Sequence, residues 1–172
     1  MRVWHVEIGA CTAADLDRLA RTGAHNPRSL RRHEDRFAIQ QRGGGWHLLA
    51  WNEGRVVGQV TLLNESKYRA VRAVLGSFPE MNGLEANPRG KGIGTRLVDA
   101  AERLADAQGA TSVGLAVECA NVAARNLYER LGYSDWGLGL VVDEWAERDE
   151  EGNVITLHQD QCIYLVKRSS NR

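Results

Sequence analysis

Glu80-Met-Asn-Gly-Leu-Glu-Ala-Asn-Pro-Arg-Gly-Lys-Gly-Ile-Gly-Thr95 is the stretch whose reading decides the fold. Glu80 to Ala86 reads as a strand, and Pro88, which has no N–H to give to a ladder, breaks it. A helix follows, because Ile93, Leu97, Val98, Ala101, Leu104 and Ala105 fall on one face while Arg96, Asp99, Glu102, Arg103 and Asp106 fall outside it. Gly109 supplies its stop. Between strand and helix the glycines allow backbone N–H groups to approach an anion, and the helix start adds unpaired donors and the positive end of its dipole. Arg89 and Lys91 add charge and Thr95 a hydroxyl, so the loop reads as a pyrophosphate seat. Lys91 is followed by Gly92, against the GxxxxGK[ST] loop of nucleotide hydrolases. Thr95 stands where a dinucleotide fingerprint would need its third glycine. A plain strand-to-helix turn, with glycine there for geometry alone, is the alternative reading of the loop in isolation.

Downstream, Ser112 to Val117 is a short apolar strand, and Asn121 caps a helix with Ala124, Leu127, Tyr128 and Leu131 inward and Gly132 as its stop. Tyr133 to Val142 reads as a strand, Asp143 to Gln161 as an acidic excursion with a turn at Glu151-Gly152-Asn153, and Cys162 to Val166 as a closing apolar strand before a polar tail. Upstream, Val3, Val6 and Ile8 mark a first strand, Thr12 caps a helix reaching about Ala24, and Pro27 opens a second helix with sparse apolar anchors at Leu30, Phe37 and Ile39. Gly43 to Gly45 is a connector. Trp46 to Trp51 and Arg55 to Leu63 are strands joined by a hairpin turn at Asn52-Glu53-Gly54. Lys67 to Pro79 has no clear pattern. Strands first, then strand–helix–strand–helix–strand, gives an α/β (α+β) layered fold around a mixed sheet, with the 172 residues forming one domain.

Two constellations stand in order: Arg89-x-x-Gly92-x-Gly94, then Asn121…Ala124…Leu127-Tyr128…Gly132-Tyr133. Together they closely resemble the two coenzyme A motifs of the GNAT acyltransferases, over about Glu80 to Trp136. The resemblance implies a mostly antiparallel central sheet flanked by helices, with a V-shaped splay between its two central strands. It implies acetyl-CoA as cosubstrate, its acetyl group transferred by direct attack of a primary amine in a ternary complex. Backbone groups around Leu84, Glu85 and Ala86 would hold pantetheine and polarise the thioester. Arg89, Gly90, Lys91, Gly92, Ile93, Gly94 and Thr95 would hold the pyrophosphate, Asn121 would bond the pantetheine arm or a bound water, and Tyr128 would protonate the departing thiolate. Two further residues commonly separate the proline from the arginine in the family, whereas Pro88 and Arg89 are adjacent here.

An amine with a pKa of about 10.4 is neutral in only about one molecule in a few thousand at pH 7, so a means of removing its proton is expected. Glu80 is assigned that role by resemblance, with Glu85 and Glu118 as rivals. The acceptor, a small molecule or a protein amine, is not named by the sequence. The acidic run from Asp143 to Glu151 reads either as an attractor for a cationic amine or as a plain exposed charged loop, and Trp136 and Trp145 are candidates for a pocket wall or for packing. A transferase of a bulkier acyl group and a non-catalytic acyl-CoA-binding domain remain as alternatives.

Lys+Arg and Asp+Glu balance at 22 each, which removes the electrostatic argument for nucleic acid. The Arg28, Arg31, Arg32, Arg36 series, offset by Glu34 and Asp35, reads as a solvated helix face. Three dispersed cysteines without a CxxC, and five histidines without HxH or HxxxH spacing, leave no metal expected. The opening residues lack an apolar signal core and no apolar run approaches the ~20 residues of a membrane span, so no membrane and a cytoplasmic location with reduced thiols are expected. The closing strand is expected near a sheet edge, where it could pair in a homodimer.

Overall fold

The computed structural model describes residues 4–22 and 27–169, so the expectations on Val3, on the helix end at Ala24 and on the last three residues of the tail lie outside the described residues. One seven-stranded sheet carries the fold. Its strands are β1 (Glu7–Ala10), β2 (Gly45–Asn52), β3 (Arg55–Leu63), β4 (Glu80–Ala86), β5 (Ser112–Glu118), β6 (Ser134–Arg148) and β7 (Val154–Arg168), in the order β1-β2-β3-β4-β5-β7-β6. Only β4 and β5 run parallel. The helices are α1 (Ala13–Thr22), α2 (Pro27–Gln41), α3 (Arg69–Leu75), α4 (Ile93–Ala107) and α5 (Val122–Arg130).

Local chemistry explains most of these boundaries. Thr12 and Asp15 form a reciprocal cap on α1: the Thr12 N–H donates to Asp15 Oδ2 at 2.8 Å and the Asp15 N–H to Thr12 Oγ1 at 3.2 Å. Glu53 and Gly54 both hold positive φ, at 46° and 80°, which is the twist a two-residue hairpin turn needs between β2 and β3. Helix α4 buries Ile93, Leu97, Val98, Ala101 and Ala105 against one face of the sheet, in a core shared with Val60 and Leu62 of β3, Leu115 of β5 and Leu165 of β7. Asn121 caps α5 through its side-chain oxygen, which accepts from the Ala124 N–H at 3.2 Å.

The V expected between the central strands is present. β4 and β5 pair only at Glu80↔Gly114 and Met81↔Leu115, and beyond Met81 they have no ladder partner on each other. On its other side β4 stays paired with β3, but with a bulge: Gln59 faces Glu85 and Thr61 faces Asn82, so Val60 opposes both Gly83 and Leu84. Gly83 takes φ 63°, a conformation that costs glycine nothing.

Two open segments take form and one expectation changes. The acidic excursion is a long hairpin of β6 and β7 whose turn is tied by Asp149, its Oδ1 accepting from the Asn153 N–H at 2.7 Å. The closing strand lies inside the sheet, with β5 on one side and β6 on the other, so β6 is the edge at that end. The unpatterned Lys67 to Pro79 segment holds α3, which buries Val71 next to Phe78 and Tyr164.

The solvated face expected of helix α2 is present only in part: Arg28 and Arg32 are exposed, but its arginines are engaged with other elements. Arg28 pairs with Glu147, Arg32 with Glu85, and Arg31 donates to the Glu150 carbonyl, while Arg36 turns inward to Thr61 Oγ1 at 2.8 Å. With His33 and Gln40, these residues lay a polar stripe at helical spacing over the face of the sheet opposite α4.

Candidate active site

The groove begins where β4 and β5 part. Its volume is about 990 Å³, and its walls come from β3, the free half of β4, the glycine loop, the start of α4, the inward side of α5 and the polar stripe of α2. Leu84, Glu85 and Ala86 line it beside Gln59 of the neighbouring strand. Past Ala86 the Asn87 N–H still donates to Val57 O at 2.9 Å, and the Asn87–Pro88 bond is cis. Arg89, Gly90, Gly92, Ile93, Gly94 and Thr95 continue the wall.

The loop geometry is that of an anion seat. Gly92 is the N-cap of α4 at φ 73°, and no side chain caps that helix end. The first backbone bond of the helix runs from the Arg96 N–H to Gly92 O at 3.0 Å, so the N–H groups of Ile93, Gly94 and Thr95 have no partner within the helix. A Cβ on Gly90 or Gly92 would meet nothing within 4 Å, so the space over the loop is open. Arg89 and Arg130 also line the groove; Arg130, at the end of α5, was missed from sequence because it stands outside the apolar stripe of its helix. Three arginines against a single carboxylate make the walls basic. That balance, the bare amides and the open volume fit a polyanionic ligand with a long narrow arm.

Tyr128 lines the groove from α5, and its side chain is otherwise buried. Its ring meets Tyr133 edge-on at 5.9 Å. Burial pushes its hydroxyl up to about 12, so the phenol carries its proton throughout the neutral range. Among the described residues its hydroxyl has no hydrogen-bond partner. Asn121 lines the groove as well, although its side-chain oxygen is already engaged in capping α5.

Several residues singled out from sequence do not line the groove. Lys91 is exposed beside it. Glu80 sits at the vertex of the V, 1% exposed, with Oε2 accepting from Tyr164 Oη at 2.9 Å and Oε1 from the Lys67 N–H at 3.4 Å. Burial raises its pKa, against the opposing pull of hydrogen bonds from Ser66, Tyr164 and Lys67. Of its rivals, Glu118 is outside the walls, whereas Glu85 is the only carboxylate among the described residues lining the groove. Trp136 packs against Tyr164, and Trp145 stacks on His158 at 4.0 Å; neither lines the groove. Among the described residues no cluster of side chains could hold a metal ion, and no helix is long and apolar enough to cross a membrane.

Known structures repeat this architecture. The fold is similar to that of a ribosomal-protein-alanine N-acetyltransferase from Brucella melitensis, with 20% identity, a TM-score of 0.64, and 94% of this chain and 99% of that chain covered. It is similar to the PaiA N-acetyltransferase from Thermoplasma acidophilum, solved in complex with coenzyme A, at 16% identity and a TM-score of 0.60 over 95% of this chain and 99% of that one. A third is YncA from Salmonella typhimurium, a putative acetyltransferase solved with its cofactor acetyl-CoA, at 16% identity and a TM-score of 0.61 over 97% and 95% of the two chains. No curated protein matches the sequence. The sequence itself matches the acetyltransferase (GNAT) family over residues 12–133, a span that holds both the glycine loop and the Asn121–Tyr133 segment, and the chain belongs to that family.

Proposed function

We propose that the protein transfers an acetyl group from acetyl-CoA to a primary amine. The observation that carries this reading is the junction of three parts in one groove: the unpaired half of β4, the bare amides at the start of α4, and the buried Tyr128. Coenzyme A bound in two of the similar structures supports the choice of ligand.

In this reading the amides of Ile93, Gly94 and Thr95, with Arg89 and the glycine loop, take the pyrophosphate, and Lys91 adds positive charge from outside the wall. The free backbone of Leu84 to Ala86 pairs with the pantetheine arm as a further strand would, and an N–H there stabilises the negative charge that grows on the thioester oxygen. Asn121 holds the arm through its amide. The amine nitrogen attacks the acyl carbon, the C–N bond forms and the C–S bond breaks. Tyr128, still protonated at neutral pH, gives its proton to the leaving thiolate and regains one from solvent. The acceptor's surplus proton is assigned to Glu80. Its raised pKa makes it a stronger base than an exposed carboxylate, and its burial requires the proton to pass through an intervening water. A bulkier acyl group in place of acetyl is the reading a panel of acyl-CoA donors separates.

The edge open to a second copy of the chain is β6 and not β7, beside the exposed Leu138, Leu140 and Val142. Sedimentation velocity tests for a homodimer built on that edge.

Calorimetric titration with acetyl-CoA, repeated on Gly92→Glu, tests the main reading. A carboxylate there would lie over the anion seat, and binding is expected at micromolar strength in the parent and lost in a folded variant. A folded parent that binds no acetyl-CoA refutes the reading.

A further inference from the structure

The register of β3 and β4 decides which way Glu85 points. Gly58 faces Ala86, and a Cβ on Gly58 would lie 2.8 Å from Leu97 Cδ1 and 3.0 Å from Ile93 Cγ2, so that pair faces α4. The next pair, Gln59 and Glu85, therefore faces the other side, where α2 lies. Glu85 is flanked in sequence by Leu84 and Ala86, whose backbone forms the unpaired edge of the V. Its carboxylate thus stands beside the reaction centre, on the face away from α4.

Its present partners are modest. Oε1 receives Arg32 Nη1 at 3.1 Å, and both side chains are half-exposed, at 54% for Glu85 and 55% for Arg32. An ion pair of that exposure is screened by solvent and contributes little. Oε2 receives Gln59 Nε2 at 3.1 Å, and that bond fixes the amide orientation. Gln59 Oε1 is then left buried with no partner among the described residues, although the residue lines the groove. A buried acceptor without a donor is costly, and an N–H brought to Glu85 from the groove would relieve it. Arg36 lies near enough to Glu85 to feel its charge, but its own bonds go to Thr61 Oγ1 and the Asn82 carbonyl, so it is a fixed counter-ion and not a ligand.

We propose that the Glu85 carboxylate, with Gln59, seats the ammonium group of the acceptor, and that Arg32 is a resident counter-ion that the acceptor displaces. The inference rests on the groove being the acyl-CoA groove. The acceptor then enters as a cation, and the charge selection is made by this carboxylate and not by the acidic hairpin, where Asp143 pairs with Lys67 and Glu147 with Arg28.

The test is equilibrium binding of n-butylammonium to the full chain saturated with CoA, which has no acetyl group to react, read by ligand-observed NMR with n-pentanol as the uncharged comparator. Glu85→Gln is expected to weaken butylammonium about tenfold, as loss of a charge-assisted contact does. Arg32→Gln, an exposed change of small effect on folding, is expected to strengthen it severalfold. Pentanol should respond to neither. CoA that fails to bind removes the coenzyme reading and this inference with it. With CoA bound, butylammonium that does not bind, or that binds equally to parent and Glu85→Gln, overturns the inference alone.

Discussion

The guanidinium of Arg36 occupies the space that a side chain on residue 83 would need: a Cβ on Gly83 would lie 2.2 Å from Arg36 Nη2. Arg36 Nη1 bonds Thr61 Oγ1 at 2.8 Å and approaches the Asn82 carbonyl at 3.4 Å, so the arginine clamps the bulge from above. The bulge in turn sets how Leu84 to Ala86 present their backbone to the groove. Helix α2, sheet and site are therefore coupled through one side chain.

Gly83→Ala tests that coupling. It combines a left-handed φ of 63°, worth ~1 kcal/mol against a β-carbon, with a clash that displaces a part-buried cation. A loss of about 2–4 kcal/mol in urea unfolding is expected. Arg36→Lys should keep the charge, lose the clamp, and raise the KM for acetyl-CoA more than it lowers stability.

Tyr128→Phe is expected to lower kcat about 100-fold while leaving acetyl-CoA affinity and thermal stability near the parent's, because the hydroxyl has no partner among the described residues to lose. With the phenol titrating at about 12, parent activity should show no alkaline fall from this group up to pH 10. A stopped-assay pH series on both proteins checks it. Unchanged kcat in the variant would remove Tyr128 from the chemistry.

Glu80→Gln separates proton removal from acceptor binding. If Glu80 takes the proton, the variant loses kcat by about 100-fold and loses the acid limb of the parent's pH profile, with little change in acceptor KM. Stability carries a second signature. The folded pKa lies above the ordinary 4.5, so the protonated form favours folding, and that contribution is lost as pH rises through the folded value. The parent's melting temperature should therefore decline with rising pH above about 4.5, relative to Glu80→Gln, in the same buffers.

How much of this was legible in the sequence varies with what each residue had to announce. The α4 stripe, the Gly109 stop and the Asn121 cap are local signals, and the elements built on them fell where the periodicity put them. The hairpin of β6 and β7 was opaque because little of it is buried. Leu138, Leu140, Val142 and Leu157 remain exposed there, so no buried face imposes a clean alternation. The Glu85 side chain was named only as a rival base, and its backbone as a pantetheine contact, because the bulge at Gly83 is a tertiary fact; a lone glycine within a strand is its sole trace. In α2, charge composition suggested a wet surface. The signal that points inward is the spacing of Arg32, His33, Arg36 and Gln40, at i, i+1, i+4 and i+8, apart from the apolar edge at Leu30 and Phe37.

His47 provides an acid-side counterpart to Glu80. It is fully buried, its Nε2 meets His33 Nδ1 at 3.1 Å, and its Nδ1 meets Thr61 Oγ1 at 3.2 Å. Burial first, then the neighbouring His33 and Arg36, push its pKa down from 6.5 to about 3, so the neutral ring belongs to the folded state. A depressed folded pKa contributes stability that is complete above 6.5 and lost as pH falls through that window towards 3. The loss should amount to a few kcal/mol by pH 4, in the opposite sense to the slope set by Glu80. His47→Gln keeps a hydrogen-bonding side chain in the site without a titrating ring. Its denaturant midpoints between pH 7 and pH 4 should fall less steeply than the parent's, and parallel curves would show that the acid sensitivity arises elsewhere.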